Sequence, residues 1–373
     1  MTGVRGSGGR GQQGDTRGTP WMRPAIVQTV LGPVPVDTLG ITLMHEHLLL
    51  DATTWWHKPV EAHRRHLGDA PLSSAIYGEL RMDPFANIDN CRLSDVQAAI
   101  EEVAQFRSLG GGTVVDPTCR GIGRAPQALQ GIARATGLHL VMGTGYYLEP
   151  AHPPEVKRMS AQAVSEVIAA DVLEGVEGVR AGLIGEIGVS AAFTAEEQKV
   201  LRGAARAQRA TSVPLSIHLP GWERHGHRVL DLVAEEAGAL RSVILDHMNP
   251  SLDDPEYQMS LAERGVYLEY DMIGMDYYYA DQHAQSPCDE ENARALCRLI
   301  NHGYLERLLL SQDVFLKMML TRYGGFGYGY ILRHFVPRLR RHQVTDAQIR
   351  TILVDNPRRV FAPDASAGEG MSM

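Results

Sequence analysis

The stretch "ITLMHEHLLL" at residues 41–50 is apolar except at its centre, where His45, Glu46 and His47 stand in a row. Such a run is typical of a buried β-strand. Burying three polar side chains is costly unless each has a partner. Alternate residues of a strand share a face, so His45 and His47 would point to one side and Glu46 to the other. The stretch therefore predicts a buried strand that presents two imidazoles to a common ligand.

Seven further apolar runs follow along the chain, each leading into a polar or glycine-rich loop and then a helical pattern. They read "GTVVDPT", "LHLVMGTGYY", "AGLIGEIGVS", "VPLSIHLP", "SVILDHM", "GVYLEYDM" and "RLLLSQD". Apolar periodicity predicts helices at 94–109 (with Ser94 as N-cap), 124–136, 160–176, 194–212, 227–238, 289–302 and 345–354. Eight alternating units predict an α/β fold, the (β/α)8 TIM barrel, with an open doubly wound sheet as the alternative.

Composition limits the class of protein. The formal charge of -8 argues against nucleic acid or an anionic membrane as a partner, and no apolar run reaches the length of a membrane span. Four cysteines without a C-x-x-C pair indicate reduced thiols and a cytoplasmic location. Residues 1–24, rich in Gly and Arg and without a secretory signal, are expected to be a disordered extension. Residues 25–363 would form one barrel domain, and residues 364–373 a loose tail.

Polar side chains interrupt five of the apolar runs, at or near their carboxyl ends, where a barrel places its active site. They are His45, His47, Glu186, His218, His247 and Asp313. Imidazole and carboxylate groups suit divalent ions such as Zn²⁺, Mn²⁺ or Co²⁺. Six ligands exceed one tetrahedral site, so they predict a centre of two divalent ions, most readily Zn²⁺, with a bridging group. For any single histidine, a hydrogen-bonded place in the core is the alternative.

These residues and their surroundings resemble the phosphotriesterase family of the amidohydrolase superfamily, and within it the phosphotriesterase-related proteins. The resemblance rests on "VQTVLGPVPVDTLGITLMHEHL", "GLIGEIGVS", "GVYLEYDMIGMD", "RYGGFGYGYILRHFVPRL" and "TILVDNPRRVFA". It implies two ligand sets, a buried ion held by His45, His47 and Asp313 and a more exposed ion held by His218 and His247. Glu186 stands where many members carry a carboxylated lysine, and would bridge the two ions. Members are commonly dimers, so the resemblance also implies a homodimer.

The implied activity is hydrolysis of a small molecule by a hydroxide that bridges the two metals, with Asp313 accepting the proton. The resemblance favours a carboxylic amide (an N-acyl amino acid or an N-acyltaurine-like compound), an ester or a lactone as substrate. A phosphoester or phosphotriester hydrolase with the same metal centre is the alternative. A metal-bound receptor or scaffold without turnover is a third hypothesis.

The loops that follow the strands should form the substrate pocket. Aromatic and cationic residues in these loops are the candidates: Trp55, Trp56, Tyr146, Tyr147, Lys317 and Arg322. Aromatic walls with a few cations suit a modest organic substrate that has an acidic or polar end. The alternative is that most of these aromatic side chains pack the loops against the barrel.

Overall fold

The computed structural model describes residues 2–3 and 25–362. The expected extension at 1–24, apart from residues 2–3, and the expected tail at 364–373 lie outside the described residues. The assignment of 25–363 to one domain stays a prediction.

Eight parallel strands form one sheet in which every strand pairs with its neighbours along the chain. We label them β1 (Ile41–Leu43), β2 (Gly111–Asp116), β3 (His139–Thr144), β4 (Leu183–Gly188), β5 (Leu215–His218), β6 (Val243–Leu245), β7 (Tyr267–Tyr270) and β8 (Leu308–Leu310). Each coincides with one of the eight apolar runs. Sequential order and parallel direction, with helices outside, make the fold a TIM barrel and confirm that prediction.

Helices fill the connections between the strands. They are α1 (Val96–Ser108), α2 (Pro126–Thr136), α3 (Ala161–Leu173), α4 (Ala195–Thr211), α5 (Gly226–Glu235), α6 (Pro255–Glu263) and α7 (Asp289–Asn301). The N-cap of α1 is Asp95 rather than the expected Ser94, because the Asp95 carboxylate accepts the N–H of Ala98. Helix α6 was missed, since only Leu261 and Ala262 among its apolar residues are buried. Within the described residues, no helix combines the length and apolar character that crossing a membrane requires.

The C-terminal helices contain two π-helical turns, each just before a proline. Ile331–Phe335 leads into α8 (Val336–Arg341), and Thr351–Asp355 joins α9 (Asp346–Arg350) to α10 (Asn356–Phe361). Proline cannot donate the backbone hydrogen bond of a regular helix, and a widened turn accommodates it. The helix expected at 345–354 therefore continues to Phe361, while the segment that forms α8 was not predicted.

A short antiparallel hairpin, Ile26–Thr29 with Gly32–Pro35, precedes the first barrel strand and was also not predicted. Its Val27 packs into a cluster of inward-facing residues that includes Val115, Val141 and Leu309. The N–H of Val30 bonds the carbonyl of Leu140. The hairpin thus covers the end of the barrel opposite to the polar residues.

Glu46 joins the two edges of the sheet, β1 and β8, which are not paired as a ladder. Its buried carboxylate accepts hydrogen bonds from the Ser311 hydroxyl (2.9 Å), from the N–H of Gln312 (2.8 Å) and from the N–H of Val314 (2.9 Å). Burial raises the pKa of Glu46 to about 7, against the effect of these donors. The backbone N–H of Asp313 also bonds the carbonyl of His45 (3.2 Å). Glu46 points away from the two histidines, as expected, and fastens the loop that carries Asp313.

Replacing Glu46 with leucine should lower the free energy of unfolding by roughly 3 kcal/mol, because several buried donors lose their acceptor. Chemical denaturation followed by circular dichroism, with a chelator present, measures the change without a metal contribution. Glu174→Leu is the control, because Glu174 is exposed. Equal stability of the two variants would contradict this role of Glu46.

Candidate metal centre

The six predicted ligands meet at the carboxyl end of the barrel. Two groups of three have their ligand atoms within 4.8 Å of one another. One group is His45, His47 and Asp313, and the other is Glu186, His218 and His247. All of these side chains are buried except that of His218, which is partly exposed. The structure therefore brings together residues from β4 and β5 and from the segments after β1, β6 and β8.

Glu186 lies between the two groups. Its Oε1 is 3.3 Å from His47 Nε2, while its Oε2 is 3.0 Å from His218 Nδ1 and 3.8 Å from His247 Nε2. Every residue of β4 is buried, so the position of this carboxylate is set by a strand packed on both faces. Its two oxygens thus lie between His47 of the first group and His218 of the second, which is the position that a bridging ligand needs.

Neighbouring side chains orient two of the imidazoles. His47 Nδ1 lies 2.7 Å from the Thr118 hydroxyl, which itself donates to the carbonyl of Leu49. His247 Nδ1 lies 3.0 Å from Asp271 Oδ1. In both rings these contacts hold a proton on Nδ1, and Nε2 is the nitrogen that faces the centre. Metal-binding histidines in proteins are commonly held in this way.

A divalent cation would satisfy buried atoms that otherwise lack partners. Both ring nitrogens of His45 and the Oδ1 atom of Asp313 are buried without a hydrogen bond. Unpaired buried polar atoms are rare and costly in folded proteins. His45 Nε2 is 3.7 Å from Glu186 Oε2 and 3.8 Å from Asp313 Oδ1, a separation that suits a shared ion better than direct contact. The donor set of imidazole and carboxylate groups fits this interpretation.

The charges within the cluster compensate one another when no cation is considered. Burial alone would raise the pKa of Glu186, but hydrogen bonds with His218, His247 and His47 outweigh it and hold the pKa well below its ordinary value. The pKa of Asp313 is lowered against the effect of burial, chiefly by His47. Burial alone would lower the pKa of His47, but Asp313 and Glu186 raise it well above its ordinary value. Both carboxylates are thus ionised and available as ligands.

Two residues of the cluster adopt strained backbone conformations. His247 has φ of 58° and Asp313 has φ of 46°, in the left-handed region that residues other than glycine rarely enter. The N–H of His247 is tied to the Asp271 carboxylate (2.9 Å). Strain of this kind persists where surrounding contacts hold it, and it concentrates at functional sites.

Three buried acids, Asp246, Glu269 and Asp271, lie on the inner side of His45. His45 Nδ1 is 3.6 Å from Asp246 Oδ2 and from Asp271 Oδ2. Burial, followed by the charge of Asp271, raises the pKa values of Asp246 and Glu269 well above their ordinary range. These acids surround the far side of His45, beneath the proposed metal site.

Comparison with known proteins assigns the chain to a family. The model of the phosphotriesterase family matches residues 25–361. The chain belongs to the phosphotriesterase family. An N-acetyltaurine hydrolase from Danio rerio is 35% identical over 338 residues, which cover 89% of this chain and 97% of the relative.

Two solved structures are similar to this one. A resiniferatoxin-binding protein from Rhodobacter sphaeroides is 57% identical, with a TM-score of 0.90 over 92% of this chain and 96% of the other. A mutant of a phosphotriesterase-like lactonase from Deinococcus radiodurans is 27% identical, with a TM-score of 0.71 over 90% of this chain and 99% of the other. The family match and these relatives make the protein a metal-dependent hydrolase of the phosphotriesterase family that acts on small molecules.

A cavity of about 320 Å³ opens beside the predicted metal ligands, of which His47, Glu186, His218, His247 and Asp313 line it. Of the six residues predicted for the pocket, Trp55 and Tyr147 line it, and the Trp55 indole N–H donates to the Tyr147 hydroxyl (3.1 Å). Trp56 and Tyr146 lie outside it, and Tyr146 is almost fully buried against the barrel. These two aromatic side chains pack the loops against the barrel, which was the alternative to their lining the pocket.

Lys317 and Arg322, the two basic residues predicted for the pocket, also lie outside the cavity, because acidic residues elsewhere bind them. Lys317 pairs with Asp89 and so joins the long loop after β1 to the loop after β8. Arg322 pairs with Glu101 on α1 (2.8 Å). Both residues support the loops that form the site without reaching the substrate space.

Several residues of the site were not predicted. They are Thr118, Asp246, Glu269 and Asp271 around the histidines, and Phe85, Trp222, Tyr279 and Phe315 in the cavity. The acids could have been found, because each interrupts or follows an apolar run as the predicted ligands do. The aromatic residues occupy loops whose conformation has no signal in local sequence.

Replacing Asp271 with asparagine should weaken metal binding by about 10–100-fold, because His247 loses the carboxylate that fixes its ring and its backbone N–H. Dialysis against a series of chelator concentrations, followed by measurement of bound metal, would record the shift. The exposed Asp253→Asn variant serves as the matched control. Unchanged metal retention in the Asp271 variant would show that His247 needs no such support.

Proposed function

We propose that the protein binds two divalent ions, most readily Zn²⁺, with Mn²⁺ and Co²⁺ as alternatives. His45, His47 and Asp313 would hold one ion, His218 and His247 the other, and Glu186 both. The observation that carries the proposal is the position of Glu186, whose two oxygens lie between His47 and His218. The unpaired buried Nε2 atom of His45, which faces Glu186 and Asp313, supports it.

The proposed reaction is hydrolysis of a carboxylic amide, ester or lactone. The N-acetyltaurine hydrolase relative and the lactonase relative support acyl substrates. When bound, the ions would supply a nucleophilic hydroxide near neutral pH and an electrophile for the scissile carbonyl oxygen. The substrate would enter the cavity beside His218 and His247, which form part of its lining.

Asp313 is the proposed proton carrier. Its carboxylate lines the cavity, is only 7% exposed and has an Oδ1 atom without a hydrogen-bond partner. With Oδ1 directed toward the proposed ion, the second carboxylate oxygen can take a proton and deliver it to the leaving group. Tyr147 accepts the Trp55 N–H and keeps its own hydroxyl proton to orient a substrate oxygen.

We further propose a homodimer in the cytoplasm, with neither nucleic acid nor a membrane as partner. The formal charge of -8 supports the exclusion of polyanionic partners. The four cysteines are free, two of them buried, which supports a reducing compartment. Sedimentation analysis would test the dimer.

Metal-loaded protein should hydrolyse acyl substrates, and chelation should abolish the activity. The panel would contain N-acyl amino acids and N-acetyltaurine, γ- and δ-lactones, and an aryl phosphotriester, compared by kcat/KM. Metal restoration after chelation is the control for damage to the protein. Turnover led by the phosphotriester would replace the acyl proposal with phosphoester hydrolysis, and an intact metal centre without any turnover would favour a receptor.

Replacing Asp313 with asparagine should lower kcat by about 100-fold or more, because the amide cannot accept the proton. Bound metal has to be measured in the same samples, since Asp313 is also a proposed ligand. Asp281→Asn, at the exposed rim of the cavity, is the control. Full turnover with two bound ions in the Asp313 variant would exclude its role as proton carrier.

A further inference from the structure

The cavity has a continuous aromatic lining that begins at the metal-binding residues. The Tyr147 ring lies 4.8 Å from the His218 ring, and Trp55 lies 6.5 Å from both Tyr147 and His218. Phe85 stacks on Trp55 with centroids 5.5 Å apart. The lining therefore reaches outward from the position of the reacting group.

Three more rings extend this lining. Phe85 lies 6.1 Å from Phe315 and 5.9 Å from Tyr279, and Tyr279 lies 5.3 Å from Trp222. We call the six residues Tyr147, Trp55, Phe85, Phe315, Tyr279 and Trp222 the aromatic wall. It receives side chains from the loops after β1, β3, β5, β7 and β8, so it is a feature of the assembled mouth of the barrel.

No lysine or arginine among the described residues lines this cavity. The acid Asp281 and the amide Gln282 lie at its exposed rim. The positive charge in the cavity would be that of the bound cations, which the scissile group itself must contact. An anionic end of a substrate would therefore lose water without gaining an ion-pair partner.

One cation near the cavity is Lys157, and it does not line the cavity. It lines a separate hollow on the other side of Trp55 and Ser190. Glu149 and Glu197 line the same hollow and balance its charge. Lys157 is exposed, so water also screens it.

We propose that the substrate is an uncharged acyl compound whose non-reacting part is an aromatic or similarly flat apolar group that contacts the aromatic wall. Conjugates with an anionic end, including N-acyltaurines and N-acyl amino acids, are poor substrates. This inference rests on the proposed hydrolase function and narrows it. Flat rings gain contact area and ring–ring interactions on such a wall, whereas a sulfonate or carboxylate finds no donor of opposite charge.

The test compares pairs of substrates in which one member carries an added sulfonate, on metal-loaded protein. One pair is phenyl acetate and para-sulfophenyl acetate, corrected for their rates of alkaline hydrolysis. The other pair is N-propylacetamide and N-acetyltaurine. We expect kcat/KM to favour the uncharged member of each pair by about tenfold or more. A preference for the charged member in either pair overturns the inference.

Two variants test the wall and its charge, each with a matched control. Trp222→Leu should lower kcat/KM for phenyl acetate by about fivefold or more, whereas Phe326→Leu, an exposed aromatic outside the cavity, should not. Ala192 lies at an exposed position of the lining. Ala192→Arg should lower the ratio of kcat/KM for phenyl acetate to that for para-sulfophenyl acetate, whereas Ala192→Met should leave this ratio unchanged. Unchanged kcat/KM for phenyl acetate in Trp222→Leu, together with an unchanged preference between the two esters in Ala192→Arg, counts against the aromatic wall as the determinant of substrate choice.

A binding measurement separates this inference from the proposed function. Calorimetric titration with acetanilide and with N-acetylsulfanilate, its sulfonated analogue, requires no turnover. Preferential binding of acetanilide together with absent hydrolysis would retain the wall as a site for uncharged rings and reject the hydrolase proposal. Equal or stronger binding of the sulfonate would reject the inference, whatever the activity.

Discussion

The carboxylate of Glu186 lies among imidazoles in a space that is almost closed to water, and the organisation of the site depends on compensating that charge. Its oxygens contact His47 on one side and His218 on the other. A buried carboxylate without such partners would be neutral, and it would then be a poor ligand. The cluster keeps it ionised, and this is the same property that lets it attract cations.

The protein holds this cluster in place mainly with polar groups behind it. Thr118 fixes the ring of His47, Asp271 fixes that of His247, and Glu46 fastens the loop of Asp313 to the first strand. The left-handed conformations of His247 and Asp313 are held by the same contacts. The side chains of the site can therefore be held in defined positions even where they belong to loops at the strand ends.

The barrel and the six proposed ligands could be predicted because they leave signals in local sequence. A strand buried on both faces must be apolar, so each histidine or acid within such a run is conspicuous. The supporting acid Asp271 carries the same signal and was overlooked. Helix α6, the hairpin before β1 and the helix after the first π turn were missed because their apolar faces are narrow or interrupted by proline and glycine.

The substrate space was harder to predict, for a physical reason. Trp55 and Trp56 are neighbours in sequence, yet one lines the cavity and the other does not. Lys317 was expected to meet substrate and instead binds Asp89. Loop residues find their partners across the whole mouth of the barrel, so composition predicts what kinds of side chains are present but not which of them face the cavity.

The junction between β1 and β8, the two edge strands of the sheet, which we call the seam, gives the proposed metal site a structural role as well. The ladder of the sheet is interrupted there, and the strands meet through side chains such as Glu46 and residues up to 268 positions later. His45, His47 and Asp313 stand on opposite sides of this seam. A cation held by them would also join the first and last strands of the barrel and so close the longest loop in the fold. Metal binding would then stabilise the closed barrel as well as supply the reactive centre.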